Sequence, residues 1–108
     1  MTSRYLVLIG AATLAASTLG PAAALAQADA VVGRYVAANC ANCHGTSGIA
    51  KGAMPSLAGQ KKEYIAEQMR AFRDGKRPAT LMHQIAKGYT DAQVEAVAEF
   101  FARQPAAR

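Results

Sequence analysis

Two cysteines three positions apart, Cys40 and Cys43, with His44 directly after the second, constrain this chain more than any other feature. They are its only cysteines, and little else is available to hold it together. The N-terminal stretch has the composition of a leader. Arg4 supplies a basic start, Tyr5 to Leu19 is almost wholly apolar or small, and Ala24-Leu25-Ala26 is a small-residue cleavage pattern. Residues 1–28 are therefore assigned to a signal peptide cut after Ala26 or Ala28, and residues 29–108 to a single domain in the periplasm. The alternative is an uncleaved anchor. Its apolar run, however, is Ala-rich, is broken by Gly20-Pro21 and falls short of the ~20 strongly apolar residues that a spanning helix needs. No segment of the mature chain is expected to span a membrane. About 80 residues remain, near the lower limit at which apolar burial alone sustains a fold. A disulfide, metal or cofactor must supply part of the core, and the cysteine pair is the place for it.

The rest of the sequence reads as helices and loops. Val32, Tyr35, Val36 and Cys40 recur at three- and four-residue steps, which predicts one apolar stripe on a helix from about Asp29 into the cysteine pair. From His44 to Gly59 the chain turns to Gly, Ser, Thr and Pro, a loop long enough to wrap a ligand. Lys61 to Arg73 predicts a second helix, with Tyr64, Ile65, Gln68, Met69 and Phe72 at helical spacing and Gly75 and Pro78 as stops. A second loop runs from Lys76 to Tyr89. Thr90 then opens the last helix, with Gln93 three residues on as its capping-box partner and Val94, Val97, Ala98 and Phe101 as its buried stripe. No strand pattern or repeat is present, so the expected architecture is all-α, three main helices with two long loops.

Cys40-Ala41-Asn42-Cys43-His44 is the Cys-x-x-Cys-His pattern of covalent haem attachment. The spacing lets both thiols form thioethers to the two vinyl groups of one porphyrin, with the imidazole of His44 beneath the iron. A thioredoxin-like pair would want a preceding strand and a βαβ setting. A zinc site would want two further ligands, which His83, the one other histidine, cannot supply alone. Neither setting is present, and the cofactor expected is a single covalent haem c.

A sixth iron ligand is expected, and Met54, Met69, Met82 and His83 are the candidates. Met69 belongs to the apolar stripe of the second helix, and Met54 lies only ten residues beyond His44. Met82 stands in the second loop, able to fold over the face opposite His44, and a soft thioether there raises the potential of a low-spin iron. Met82 is the residue chosen, with bis-His ligation through His83 as the alternative. Pro55 either places its carbonyl against the Nδ1 hydrogen of His44 or is simply a turn proline. Arg77 either pairs with a haem propionate or meets only water.

Of the twelve Lys and Arg only Arg4 falls in the leader, which leaves eleven against seven Asp and Glu. Lys61, Lys62, Arg70, Arg73, Lys76 and Arg77 are spread over the second helix and its exit with no nucleic-acid-binding module around them. They read as a solvated helix face, suited also to steering an acidic partner.

Across nearly the whole mature sequence the chain resembles the class I c-type cytochromes. The resemblance lies in Cys40 to Gly45, Pro55-Ser56-Leu57-Ala58-Gly59-Gln60, the Tyr64 helix, Met82 and the closing helix through Phe101. It implies the small class I cytochrome c fold around one covalent haem, Cys40 and Cys43 as attachment residues, His44 and Met82 as axial ligands, and Pro55 as the buttress of His44. The segment from Arg77 to Thr90, with Met82 and then Ile85-Ala86-Lys87-Gly88-Tyr89, is similar to the cytochrome subunit of flavocytochrome c sulfide dehydrogenases. That likeness implies electron transfer from an FAD-containing flavoprotein partner that oxidises sulfide, with no catalysis by this chain alone. Well-known members carry two haem domains, whereas this chain has one Cys-x-x-Cys-His. The alternatives are a freely diffusing monohaem carrier for a periplasmic oxidase or reductase, and a haem sensor with an open sixth site.

Overall fold

The computed structural model describes residues 20–106, so residues 1–19 of the segment expected to be a leader lie outside the described residues. Four α-helices follow in order: α1 (Pro21–His44), α2 (Lys62–Arg73), α3 (Met82–Ile85) and α4 (Asp91–Ala102), with 3-10 turns at Thr46–Gly48 and Ala86–Gly88. No strand occurs among the described residues, as an all-α fold requires.

α1 begins eight residues earlier than its periodicity suggests, because Pro21 is tolerated in the first helical turn and the alanines after it are strong helix formers. Residues 20–30 are all exposed. Its buried residues begin only at Gly33, so cleavage after Ala26 or Ala28 would shorten α1 without touching the face it packs.

That face differs from the expected stripe. Gly33, Val36, Ala37 and His44 are buried and Cys40 is half-buried, whereas Val32 is 36% and Tyr35 76% exposed. The reason is the crossing of α1 over α4. A Cβ at Gly33 would stand 2.5 Å from the Ala96 carbonyl oxygen, so the backbones meet where the side chain is smallest, and the larger Val32 and Tyr35 are turned outward.

α4 supplies the centre of the core. Val94, Val97, Ala98 and Phe101 are all buried, as its spacing predicts, and Phe101 meets Phe100 edge to face with centroids 5.3 Å apart. Burying the valine and phenylalanine side chains contributes roughly 1.5–3 kcal/mol each. The helix opens on the predicted capping box: Gln93 N–H donates to Thr90 Oγ1 at 3.3 Å and Thr90 N–H to Gln93 Oε1 at 2.9 Å.

α2 packs Ile65, Ala66 and Met69 against this core. Its outer face is not merely solvated. Lys62 lies 3.4 Å from Glu95 and 3.6 Å from Glu99, Arg70 pairs with Glu95, and Arg73 lies 2.9 Å from Asp91, so half of the predicted basic run is tied to α4.

The two long connections are more ordered than a loop reading implies. In the first, Gly48 O accepts from Leu57 N at 2.8 Å and Ala58 N at 3.1 Å, Ser56 Oγ accepts from Ala50 N at 3.0 Å, and Gly59 N donates to Phe101 O at 2.9 Å. The second contains α3, a single turn that sequence periodicity does not reveal because four residues carry no stripe.

Candidate functional site

α1 ends where the site begins. Its last turn carries Cys40, Cys43 and His44, and Gly45 closes it with a backbone N–H donated to Ala41 O at 3.0 Å. All three side chains line one cavity of about 350 Å3, a size within the usual range of cofactor sites. The first long loop lends Met54, Pro55 and Leu57 to the wall, α2 lends Tyr64, Ile65, Gln68, Met69 and Phe72, and α4 lends Val97 and Phe101. Its remaining wall is the second connection, with Arg77, Leu81, Met82, Ile85 and Tyr89.

His44 is 7% exposed, and its Nδ1 lies 2.8 Å from Pro55 O. A carbonyl can only accept, so Nδ1 donates and Nε2 keeps the lone pair that a metal needs. The Pro55 carbonyl thus stands against Nδ1 of His44. Cys40 is half-buried, burial pushes its thiol up from the ordinary value, and its Sγ donates to Val36 O at 3.4 Å; Cys43 is exposed.

Among the described residues three methionines reach the cavity. Met82, at the start of α3, is half-buried; Met54 is 42% exposed; Met69 is 7% exposed and belongs to the core cluster as its helical spacing predicts. His83 does not line the cavity, and its Nδ1 is buried without a hydrogen-bond partner, so the structure does not bring it together with His44. Sequence reasoning had no means to place Tyr64, Gln68 or Tyr89 in the wall. Tyr89 accepts from Asn39 Nδ2 at 3.5 Å, which links the end of α1 to the entry of α4.

The electrostatics are simple. Among the described residues no Asp or Glu lines the cavity, and Arg77 is its one permanently charged side chain. An apolar slot with two thiols, a pre-oriented imidazole and thioethers on its wall fits a c-type haem, which needs apolar cover, two attachment sulfurs and soft or imidazole ligands. Fold and site together have the build of a class I c-type cytochrome.

The comparisons agree. The chain belongs to the cytochrome c family: residues 26–101 match the family described as cytochrome c oxidase, cbb3-type, subunit III. It is 38% identical over 87 residues to the cytochrome subunit of sulfide dehydrogenase of Chlorobaculum tepidum, covering 79% of each chain, so that relative is of this chain's own size. It is 34% identical over 80 residues to cytochrome c-554(548) of Halomonas halodenitrificans, covering 70% of this chain and 96% of that one. Among solved structures it resembles cytochrome c4 of Acidithiobacillus ferrooxidans, with a TM-score of 0.60 and 38% identity over 71% of this chain and 47% of that chain. The chain thus spans less than half of that structure. The protein carries covalent haem c and transfers electrons. Among the described residues no helix is long and apolar enough to cross a membrane.

Proposed function

We propose that this chain is the monohaem cytochrome subunit of a periplasmic sulfide dehydrogenase, receiving electrons from an FAD-bearing flavoprotein. The observation that carries this reading is the match, along 79% of both chains, to a sulfide dehydrogenase cytochrome subunit of the same size. That relative's length, close to this chain's own, supports a subunit with a single haem domain. The leader with its small-residue cleavage pattern supports export, and a mature N-terminus at Gln27 or Asp29 is expected on Edman sequencing.

Bound haem supplies a one-electron ferric/ferrous couple. The chain's residues hold and shield it. Cys40 and Cys43 provide the attachment sulfurs, and His44 provides Nε2 with its ring fixed by Pro55 O. Met82 provides the thioether on the wall formed by the second connection, and Ile65, Phe72, Val97 and Phe101 exclude water. No acid or base is required, because electron transfer makes and breaks no bond. Lys61 and Lys76, next in sequence to the cavity residues Gln60 and Arg77, pair with no carboxylate among the described residues and suit an acidic partner surface.

A second reading, a diffusible carrier, is favoured by the match that covers 96% of the small cytochrome c-554(548). Gel filtration of the native periplasmic fraction, with haem and flavin absorbance followed together, separates the two. Co-elution with a flavoprotein and sulfide-dependent haem reduction in that peak are expected of the subunit. Haem eluting alone, at the mass of this chain, rejects it.

A further inference from the structure

The carbonyl that orients His44 sits on a stretch of chain with little to hold it. Residues 51–55 are all exposed, and Gly52 takes a positive φ of 69° with open space around it. Among the described residues no backbone-to-backbone hydrogen bond ties any of these five. Pro55 has no N–H to donate, and its one hydrogen bond is the carbonyl that accepts from His44 Nδ1 at 2.8 Å. An acceptor on such an excursion keeps its place only when the ends of the excursion are fixed.

Ser56 fixes them. Its Oγ accepts from Ala50 N–H at 3.0 Å, which closes residues 50–56 into a ring at their base. Its own carbonyl accepts from Gln60 Nε2, while Leu57 N and Ala58 N donate to Gly48 O at 2.8 and 3.1 Å. Residues 48–50 and 56–58 thus form a clasp under the exposed loop. Within that clasp the Ser56 hydroxyl makes the tie nearest to Pro55, to which Ser56 is joined by a peptide bond. Ser56 is half-buried but does not line the cavity, so its route to the site runs through Pro55.

We propose that Ser56 is a positioning residue for His44: its hydroxyl bond to Ala50, backed by Gln60, holds the Pro55 carbonyl on Nδ1 and so sets how strongly Nε2 donates. This rests on the reading that His44 is the iron ligand. A carbonyl accepting from Nδ1–H fixes the ring and raises the basicity of the imidazole. A more basic axial ligand favours ferric over ferrous iron. With the clasp open, the Pro55 carbonyl draws away, the Nδ1 proton meets water part of the time, and the balance moves toward ferrous.

The test uses the purified holoprotein and two readings. Ser56→Ala removes the acceptor, whereas Ser56→Thr keeps a hydroxyl oxygen at the same position. Exchange of the His44 Nδ1 proton, followed by proton NMR of the ferrous protein, should be about fivefold faster in Ser56→Ala, the equilibrium worth of one ordinary hydrogen bond. In spectroelectrochemistry the same variant should show a larger ferrous share at fixed potential. Ser56→Thr should match the wild type in both. Gln60→Leu removes the second tie without adding charge and should move both readings in the same direction.

A lower Tm in Ser56→Ala with wild-type Nδ1 exchange and wild-type potential overturns the proposal, and the clasp then serves only the stability of the loop. If Ser56→Ala yields no folded holoprotein, Gln60→Leu carries the test, and wild-type values in both readings overturn it there. Failure of the underlying ligand reading would appear separately, in the wild type, as His44 ring protons without the paramagnetic shift that ferric iron imposes on its ligand.

Discussion

At the scale of single residues, the question left by the cavity is which sulfur meets the iron. Met54, Met69 and Met82 all line it, but they are held differently. Met69 is fixed in the core among Ile65, Val97 and Phe101, and Met54 sits 42% exposed on the first loop, one residue from the proline that already engages His44. Met82 starts a helical turn on a separate wall, with its thioether half-buried. Met82→Ala is therefore expected to abolish the Met-to-iron charge-transfer band, lower the reduction potential and admit carbon monoxide to the ferrous protein. It should cost about 2 kcal/mol of stability, the low end for a methionine truncated at a partly buried site. Met54→Ala and Met69→Ala should leave the band in place. If the band disappears in Met54→Ala instead, the ligand is Met54 and the second connection serves only as a lid. A ligand-binding sensor would show carbon monoxide binding already in the wild type.

At the scale of elements, the α1–α4 crossing at Gly33 is the contact least able to absorb change. An added methyl would stand 2.5 Å from Ala96 O and 3.1 Å from Ala96 C, both backbone atoms, so the helices themselves must separate. Gly33→Ala gains about 1 kcal/mol of helix propensity, yet overpacking of this kind costs about 1–3 kcal/mol. We expect a net loss of about 1 kcal/mol, and a larger one for Gly33→Val, read as a lower denaturant midpoint with unchanged slope. An unaltered midpoint in the Val variant would mean that the crossing is loose. The same contact explains what was and was not legible in the sequence. Cys-x-x-Cys-His, the Thr90–Gln93 cap and the α4 stripe could be read because their partners lie within a few residues. The buried face of α1 could not, because hydrophobicity pointed to Val32 and Tyr35, while close approach favoured the small Gly33 and Ala37. α3 escaped for want of length. The His44–Pro55 bond spans eleven residues, and the sequence could offer it only as one of two readings.

At the scale of the whole molecule, charge is sorted rather than spread. Asp91, Glu95 and Glu99, three of the seven acids, sit on α4 facing Lys62, Arg70 and Arg73 of α2, and Arg103 closes the row 2.6 Å from Glu99. A sequence cannot show such pairing, since Arg70 and Glu95 are 25 residues apart. The consequence is measurable in acid. Hydrogen bonds from Arg73, Arg70 and Arg103, respectively, are the main cause holding the carboxyls of Asp91, Glu95 and Glu99 below the usual carboxylate range. A carboxyl depressed in the fold binds fewer protons there than in the unfolded chain. Its contribution is thus complete above the unfolded value near ~4 and is lost as pH falls through the lower folded value. Each pair is at least partly exposed, so the individual effects are small and screened by salt. Thermal unfolding followed by far-ultraviolet circular dichroism should therefore show Tm falling below about pH 4 at low ionic strength. The fall should be shallower at about 1 M salt, where the screening length shrinks to about 3 Å. The triple variant Asp91→Asn, Glu95→Gln, Glu99→Gln should begin with a lower Tm at neutral pH and lose less of it on acidification. Because the haem and His44 are common to both proteins, acid loss of the iron ligand cancels in the comparison. If both proteins instead lose the same Tm over the same range, the α2–α4 pairs carry no stability and acid sensitivity belongs to the haem site alone.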